Sequence, residues 1–153
     1  MMTMSPKLRG PWNAAEVAAY LDGARIPVRL ACTRGADGPL IVSLWFEHRD
    51  GALWCATQNS SRTAKYLAQD DRCAFEIAGE TLPYSGVRGQ GRATLSEAEG
   101  PRVLARLIER YLGAEDSSFT RWLRSRAETE VAIRIDPTWI TSWDFSERMK
   151  TGA

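Results

Sequence analysis

Between residues 26 and 77 the chain is written as short apolar runs cut by turn signals: PVRLACT, ADGP, LIVSLWF, an Asp50-Gly51 pair, then ALWCAT. Runs this short, rich in β-branched and aromatic residues and bounded by Gly, Pro and Asp, read as strands, and the Asp-Gly pair marks a hairpin between two of them. Three antiparallel strands are expected here, followed by one with Cys73, Phe75 and Ile77 on one side. Residues 84–95 alternate Val87, Gly89, Gly91, Ala93, Leu95 against Arg88, Gln90, Arg92, Thr94, a long strand thinned by glycine, so something must approach its backbone closely. Two last strands are expected at 130–135 and 139–145, separated by Asp136-Pro137. About six or seven strands, mostly hairpin-connected and without the strand-helix alternation of a parallel sheet, suggest a closed antiparallel barrel with helices packed outside.

The helical signals fit that plan. Asn13 can cap a helix carrying Ala14, Val17, Ala18 and Leu21 that stops at Gly23. A short helix over residues 60–68 presents Ala64, Leu67 and Ala68 as its packing stripe. Ser96 and Glu99 form a capping box ahead of Leu104, Leu107, Ile108 and Tyr111, with Gly113 as the stop, and a further short helix carries Phe119, Trp122 and Leu123. Arg102, Arg106 and Arg110 fall on one face of the longer helix and read as a solvated face. The organisation expected is one domain over residues 13–149, a flexible start over 1–12 and a tail at 150–153. In LIVSLWF, Leu40, Val42, Leu44 and Phe46 point one way while uncharged Ile41, Ser43 and Trp45 point the other, so this strand is either buried on both faces or covered by a ligand.

Composition removes several function classes. A net charge of +1 over 153 residues provides no field for gripping a polyphosphate, so no nucleic-acid partner is expected and any anion site must be local. Apolar stretches fall far short of the roughly 20 residues needed to cross a bilayer, and MMTMSPKLRGPW lacks the apolar middle of a signal peptide. No membrane partner is expected, and the location expected is the cytoplasm. Cys32, Cys55 and Cys73 are widely spaced inside apolar runs, with only His48 as an imidazole, so they read as buried, inert thiols and no metal site is expected. Nucleotide-loop, zinc-protease and hydrolase-elbow motifs are absent, and His48 sits in the Glu47-His48-Arg49-Asp50-Gly51 hairpin turn, which disfavours hydrolase chemistry.

One local anomaly stands out against this background. Helix N-termini carry free N–H groups and partial positive charge, so Asp or Glu usually occupies the first turn. The short helix instead places Arg62 there and Lys65 a turn-width later, preceded by Thr57-Gln58-Asn59-Ser60-Ser61. Hydroxyls, free amides and two cations together suit a phosphate monoester. The same residues also suit a surface helix that tolerates its arginine.

The stretch VSLWFEHRDGALWCATQNSSRTAKYLAQDDRCAFEI, followed by PYSGVRGQGRATL, resembles the pyridoxamine 5′-phosphate oxidase-related family, the FMN-binding split-barrel proteins, over about residues 26–149. The resemblance implies a split antiparallel β-barrel with peripheral helices. It also implies a homodimer with cofactor at the subunit interface and hydride transfer between bound FMN and a small organic substrate. In this family a strand borders the flavin ring, a threonine ends the next strand, and a Ser-Arg-Lys run holds the phosphate. By resemblance Val42, Ser43, Leu44 and Trp45 border the ring, Thr57 is the strand-end threonine, and Ser61 and Arg62 open the phosphate run, with Thr63 in the usual lysine place and Lys65 two residues on. Arg88, Gln90 and Arg92 could reach the cofactor of the same or a partner subunit, and Trp45, Trp139 and Trp143 are candidate slot walls. The family's Arg-x-His near the C-terminus is replaced here by Glu147-Arg148-Met149, so a true pyridoxamine-phosphate oxidase is not expected. Alternatives are a 5-deazaflavin (factor 420) dependent reductase and a non-catalytic flavin or haem binder.

Overall fold

The computed structural model describes residues 5–150. Eight strands and five α-helices are present among them: β1 (Lys7–Arg9), α1 (Ala14–Gly23), β2 (Val28–Thr33), β3 (Pro39–Leu44), β4 (Glu47–Arg49), β5 (Ala52–Gln58), α2 (Arg62–Gln69), β6 (Arg72–Ala78), β7 (Ser85–Ser96), α3 (Gly100–Leu112), α4 (Ser118–Ser125), β8 (Glu130–Asp144) and α5 (Ser146–Lys150). The sheet runs β3-β2-β6-β7-β8-β5-β4, antiparallel throughout, with β1 added in parallel beside β8. It curls so that β3 comes near β5 without pairing to it. This is a split barrel, and it corrects the closed barrel that the strand count alone suggested: β3 keeps one edge without a strand partner.

Alternation along the strands builds the core. Val28, Leu30 and Cys32 of β2, Cys73, Phe75 and Ile77 of β6, and Val87 of β7 fill the barrel with Leu53, Cys55, Ile133 and Ile135, all under 9% exposed. Opposite faces of β5 and β8 carry a second cluster, Ala52, Trp54 and Ala132, onto which α3 packs through Val103 and Leu107. The three thiols are buried; burial pushes Cys32 and Cys55 up and Cys73 up to about 12, which leaves them inert as expected.

Several boundaries differ from the sequence reading. The expected flexible start fails for residues 7–12: Lys7–Arg9 pairs with β8 and the Trp12 N–H donates to Ser142 Oγ at 3.1 Å. Residues 1–4 and 151–153, within the expected flexible start and tail, lie outside the described residues. The two last strands are one, because a register shift at Gln90/Gly91 absorbs Pro137, whose missing N–H would otherwise break the ladder. His48 belongs to β4, and only Asp50-Gly51, both at positive φ, makes the turn. The expected capping box does not start α3: Ser96 Oγ accepts from the Glu99 N–H, but the helix begins a turn later. In α2 the packing stripe is Thr63, Ala64 and Leu67, with Ala68 exposed. The backbone approach demanded by β7 comes from inside the protein, since a Cβ on Gly89 would sit 2.7 Å from Phe75 Cζ, and one on Gly91 2.5 Å from the Asp136 carbonyl oxygen.

Candidate functional site

Ser61 is the N-cap of α2, extended at φ −66° and ψ 153°, and its hydroxyl accepts from the Ala64 N–H at 3.1 Å. No acidic residue occupies the first turn. Arg62, the first helical residue, and Lys65 are exposed, and neither side chain has a hydrogen bond or ion pair among the described residues. Most other arginines are engaged: Arg72 with Asp70, Arg92 with Asp71, Arg106 with Glu47, Arg134 with Asp136. Two unpaired cations at the positive end of a helix, with the first-turn N–H groups of Arg62 and Thr63 still without acceptors, form a donor set that fits a phosphate. Thr63 is buried at 5% exposure, so its side chain does not take the place of the usual lysine; Lys65 lines a cleft of about 250 Å³ with Asn59, Leu95 and Val131. Thr57, half-buried near the end of β5, lies opposite Val131.

The split of the barrel supplies a second feature. Val42 and Leu44 of β3 turn inward against the core, whereas Ser43 turns outward and receives the Arg29 guanidinium at 2.7 Å. Ile41 beside it is 68% exposed, so β3 is not buried on both faces within this chain. Beyond the strand end Trp45 stacks on Tyr111 at 4.9 Å and 8°. The Tyr111 hydroxyl donates to the Ile26 carbonyl and accepts from the Phe46 N–H, which locks this pair, and burial raises its pKa. Ser43, Leu44 and Trp45 border an open cavity of about 240 Å³, lined also by Ala56 of β5, by Leu104 and Leu107 of α3, by Phe119 and Leu123 of α4, and by Glu130.

Glu130 is 7% exposed, and its Oε2 has no hydrogen-bond partner. It pairs across the ladder with Gln58, whose amide reaches the Arg126 carbonyl and Thr129 hydroxyl. Burial raises the Glu130 pKa, and the Gln58 amide and Arg126 charge offset this only in part.

Arg88 and Gln90 lie elsewhere, on the outer face of β7. Cross-strand register lines up Ser43, Arg29, Glu76, Arg88 and Thr141 in one row and Ile41, Ala31, Ala74, Gln90 and Trp139 in the next. A groove of about 430 Å³ runs along them. Gln90 Oε1 accepts from Trp139 Nε1 at 3.2 Å, and the Arg88 guanidinium lies 5.4 Å from the Trp143 ring. Within one chain Ser43, Leu44 and Trp45 border one cavity, while Ser43 also heads the outward row that holds Arg88, and Gln90 and Trp143 lie on that same outer face.

Sequence reasoning missed Glu130, Tyr111 and Arg29. Gln58 was noted only within the Thr57–Ser61 run, and Tyr111 was visible only as part of a packing stripe. The solvated reading of the α3 arginines fails for two of them: Arg106 grips Glu47 with both ends of its guanidinium, and Arg110 donates to the Leu21 and Ala24 carbonyls.

No protein-family model matches the chain, and no curated protein does. Solved structures match over most of its length. The conserved hypothetical protein Rv2991 of Mycobacterium tuberculosis superposes with a TM-score of 0.77 at 25% identity, covering 91% of this chain and 89% of that one. An F420 reductase gives 0.67 at 16% identity, covering 78% and 92%. An FAD-binding protein of Mesorhizobium loti gives 0.63 at 16% identity, covering 86% and 93%. The chain has the split-barrel fold shared by the pyridoxamine 5′-phosphate oxidase-like proteins, as the resemblance in its sequence implied.

Proposed function

We propose that the protein is a flavin-type oxidoreductase that binds FMN and moves a hydride to or from a small organic substrate, with a 5-deazaflavin coenzyme as the alternative occupant of the same site. The observation that carries this reading is the start of α2: Arg62 and Lys65 stand unpaired among the described residues at a helix end whose first turn holds no acid. Such an end takes a phosphate group, which both cofactors carry. The unpartnered edge of β3 offers backbone donors and acceptors of the kind the polar edge of a flavin ring requires. Val42, Ser43, Leu44 and Trp45 border the ring in this reading; Thr57, Ser61, Arg62 and Lys65 serve the phosphate end, with Thr63 contributing its backbone N–H.

A bound flavin-type ring supplies hydride chemistry at its own atoms, so the chain needs no nucleophile. Its residues have to bind, orient and exclude water. The locked Trp45–Tyr111 pair gives a rigid apolar wall for that purpose. Glu147-Arg148-Met149 in place of Arg-x-His argues against vitamin B6 phosphates as substrate. Three buried free thiols fit a reducing compartment, the cytoplasm.

A second copy of the chain belongs to the same proposal. The outer groove mixes exposed Ile41 with Ala31, Ala74 and Trp139, flanked by Arg29, Glu76 and Arg88, an apolar strip with charges of both signs suited to a self-complementary contact. Docking there would set Arg88 and Gln90 beside a partner's cofactor. The test of function is reduction. Protein loaded with FMN or the deazaflavin is mixed without oxygen with NADH, NADPH or reduced deazaflavin; bleaching of the cofactor band, reversed by an electron acceptor, is expected. A cofactor that stays oxidised with every donor, and passes electrons to no acceptor, overturns the enzyme reading.

A further inference from the structure

The cavity under α4 holds a feature that the cofactor reading does not use. Its walls are apolar: Leu44, Trp45, Ala56, Leu104 and Phe119. Set into them is one acid, Glu130, which is 7% exposed, with an oxygen that no described donor reaches. Among the described residues no basic side chain comes within ion-pair distance of it, and the Gln58 amide and Arg126 charge offset its burial only in part. A buried acceptor left unpaired is destabilising, and more so when it is charged. Such a group persists in a folded protein where a ligand or water answers it.

Nor is Glu130 held by accident of a loose loop. It opens β8 opposite Gln58, and the first residue of α3, Gly100, packs so closely on the Glu130 carbonyl that a side chain there would collide with it. The acid is fixed between a strand ladder and a helix start, while two aromatic rings, Trp45 and Phe119, border the same space. A carboxyl facing aromatic walls is the chemistry that recognises an ammonium group: the acid supplies a charge-assisted hydrogen bond, and ring faces attract a cation. The cavity, about 240 Å³ and open to solvent, offers a volume of the order of a small ring with a short arm.

We propose that this cavity binds a small aromatic amine, with Glu130 receiving its ammonium group and Trp45 and Phe119 flanking its ring. The cavity shares Leu44 and Trp45 with the ring slot of the cofactor reading, while Glu130 and Phe119 belong to this inference alone, and it is tested on the protein as purified. Calorimetric titration with tryptamine, its neutral analogue indole-3-ethanol and its acidic analogue indole-3-acetate separates the possibilities. Tryptamine is expected to bind about tenfold or more tightly than indole-3-ethanol, the ratio one charge-assisted hydrogen bond supplies, and indole-3-acetate is expected to be rejected. Glu130→Gln should bring tryptamine to the level of indole-3-ethanol while leaving the latter unchanged. Ala56→Leu, which narrows the cavity from β5, should weaken both. Equal binding of amine and alcohol, no binding of tryptamine, or an amine preference that survives Glu130→Gln overturns the proposal. Should Glu130→Gln fail to fold, the ranking of the three probes on the unaltered protein decides alone. FMN titrated into the same samples reports separately: loss of FMN binding with amine binding intact leaves this inference standing.

Discussion

Single residues set the tightest limits on this molecule. Gly89 lies where β7, β8 and the Phe75 ring meet, and an added methyl would strike Phe75 Cζ at 2.7 Å and the Trp139 carbonyl oxygen. Gly89→Ala is expected to destabilise the protein by about 3 kcal/mol, read as a lower midpoint in denaturant with unchanged slope. That β7 needed glycine was legible in the alternation of its sequence. What approached the strand was not, because the partner carbonyl comes from a residue roughly fifty positions away. Arg62 was legible for a local reason, a cation where a helix dipole disfavours one. Glu130 was not: an acid at the head of a strand looks exposed until α3 covers it. Its folded pKa is raised, so the stability it contributes is full below the ordinary carboxylate range and is lost as pH rises through the folded value. Glu130→Gln should therefore gain stability relative to the unaltered protein between pH 4 and pH 8; thermal melts at both ends of that range check the sign, and a constant difference contradicts it.

At the scale of elements, one ion pair ties β4 at the far end of the sheet to α3. Arg106 of α3 clasps Glu47 of β4, and this holds the Glu47 carboxyl below its usual range. A depressed acid contributes stability above its unfolded pKa and loses it as pH falls through the folded one. Glu47→Gln is expected to flatten the acid side of the stability profile. Because Arg106 is 45% exposed, the change at neutral pH should stay under about 1 kcal/mol. Strands β2, β5, β6 and β7 were readable from alternation and turn residues, as was α1 from its Asn13 cap, to which the structure adds the reciprocal cap of Glu16. β1 was not, since three residues of mixed polarity carry no period, and the ladder they join is supplied by β8. The unity of β8 was hidden by Pro137, whose defect is absorbed by a bulge at Thr138 of β8, opposite Gln90/Gly91.

For the whole molecule, the near-neutral charge of +1 conceals two local imbalances: unpaired Arg62 and Lys65 at one end of α2, and a buried acid in the cavity under α4. Whether the sheet closed into a barrel was beyond the strand pattern, though the family resemblance implied the split, because closure depends on two edges meeting, and β3 and β5 come near without pairing. The outer groove predicts association: light scattering at micromolar concentration should give twice the 17.1 kDa chain mass, and Ile41→Glu should return it to one. A monomer at every concentration would remove the partner from the account. The central claim is that the start of α2 holds the phosphate of a flavin-type cofactor, and the measurement closest to it is a fluorescence titration of the protein and its Arg62→Ala variant with FMN and with the 5-deazaflavin coenzyme. Saturable binding of at least one cofactor, weakened about tenfold or more by Arg62→Ala, is the expected result, since a charged hydrogen bond to phosphate contributes about 1.5–3 kcal/mol. Binding of neither cofactor, or equal binding by the variant, would contradict it.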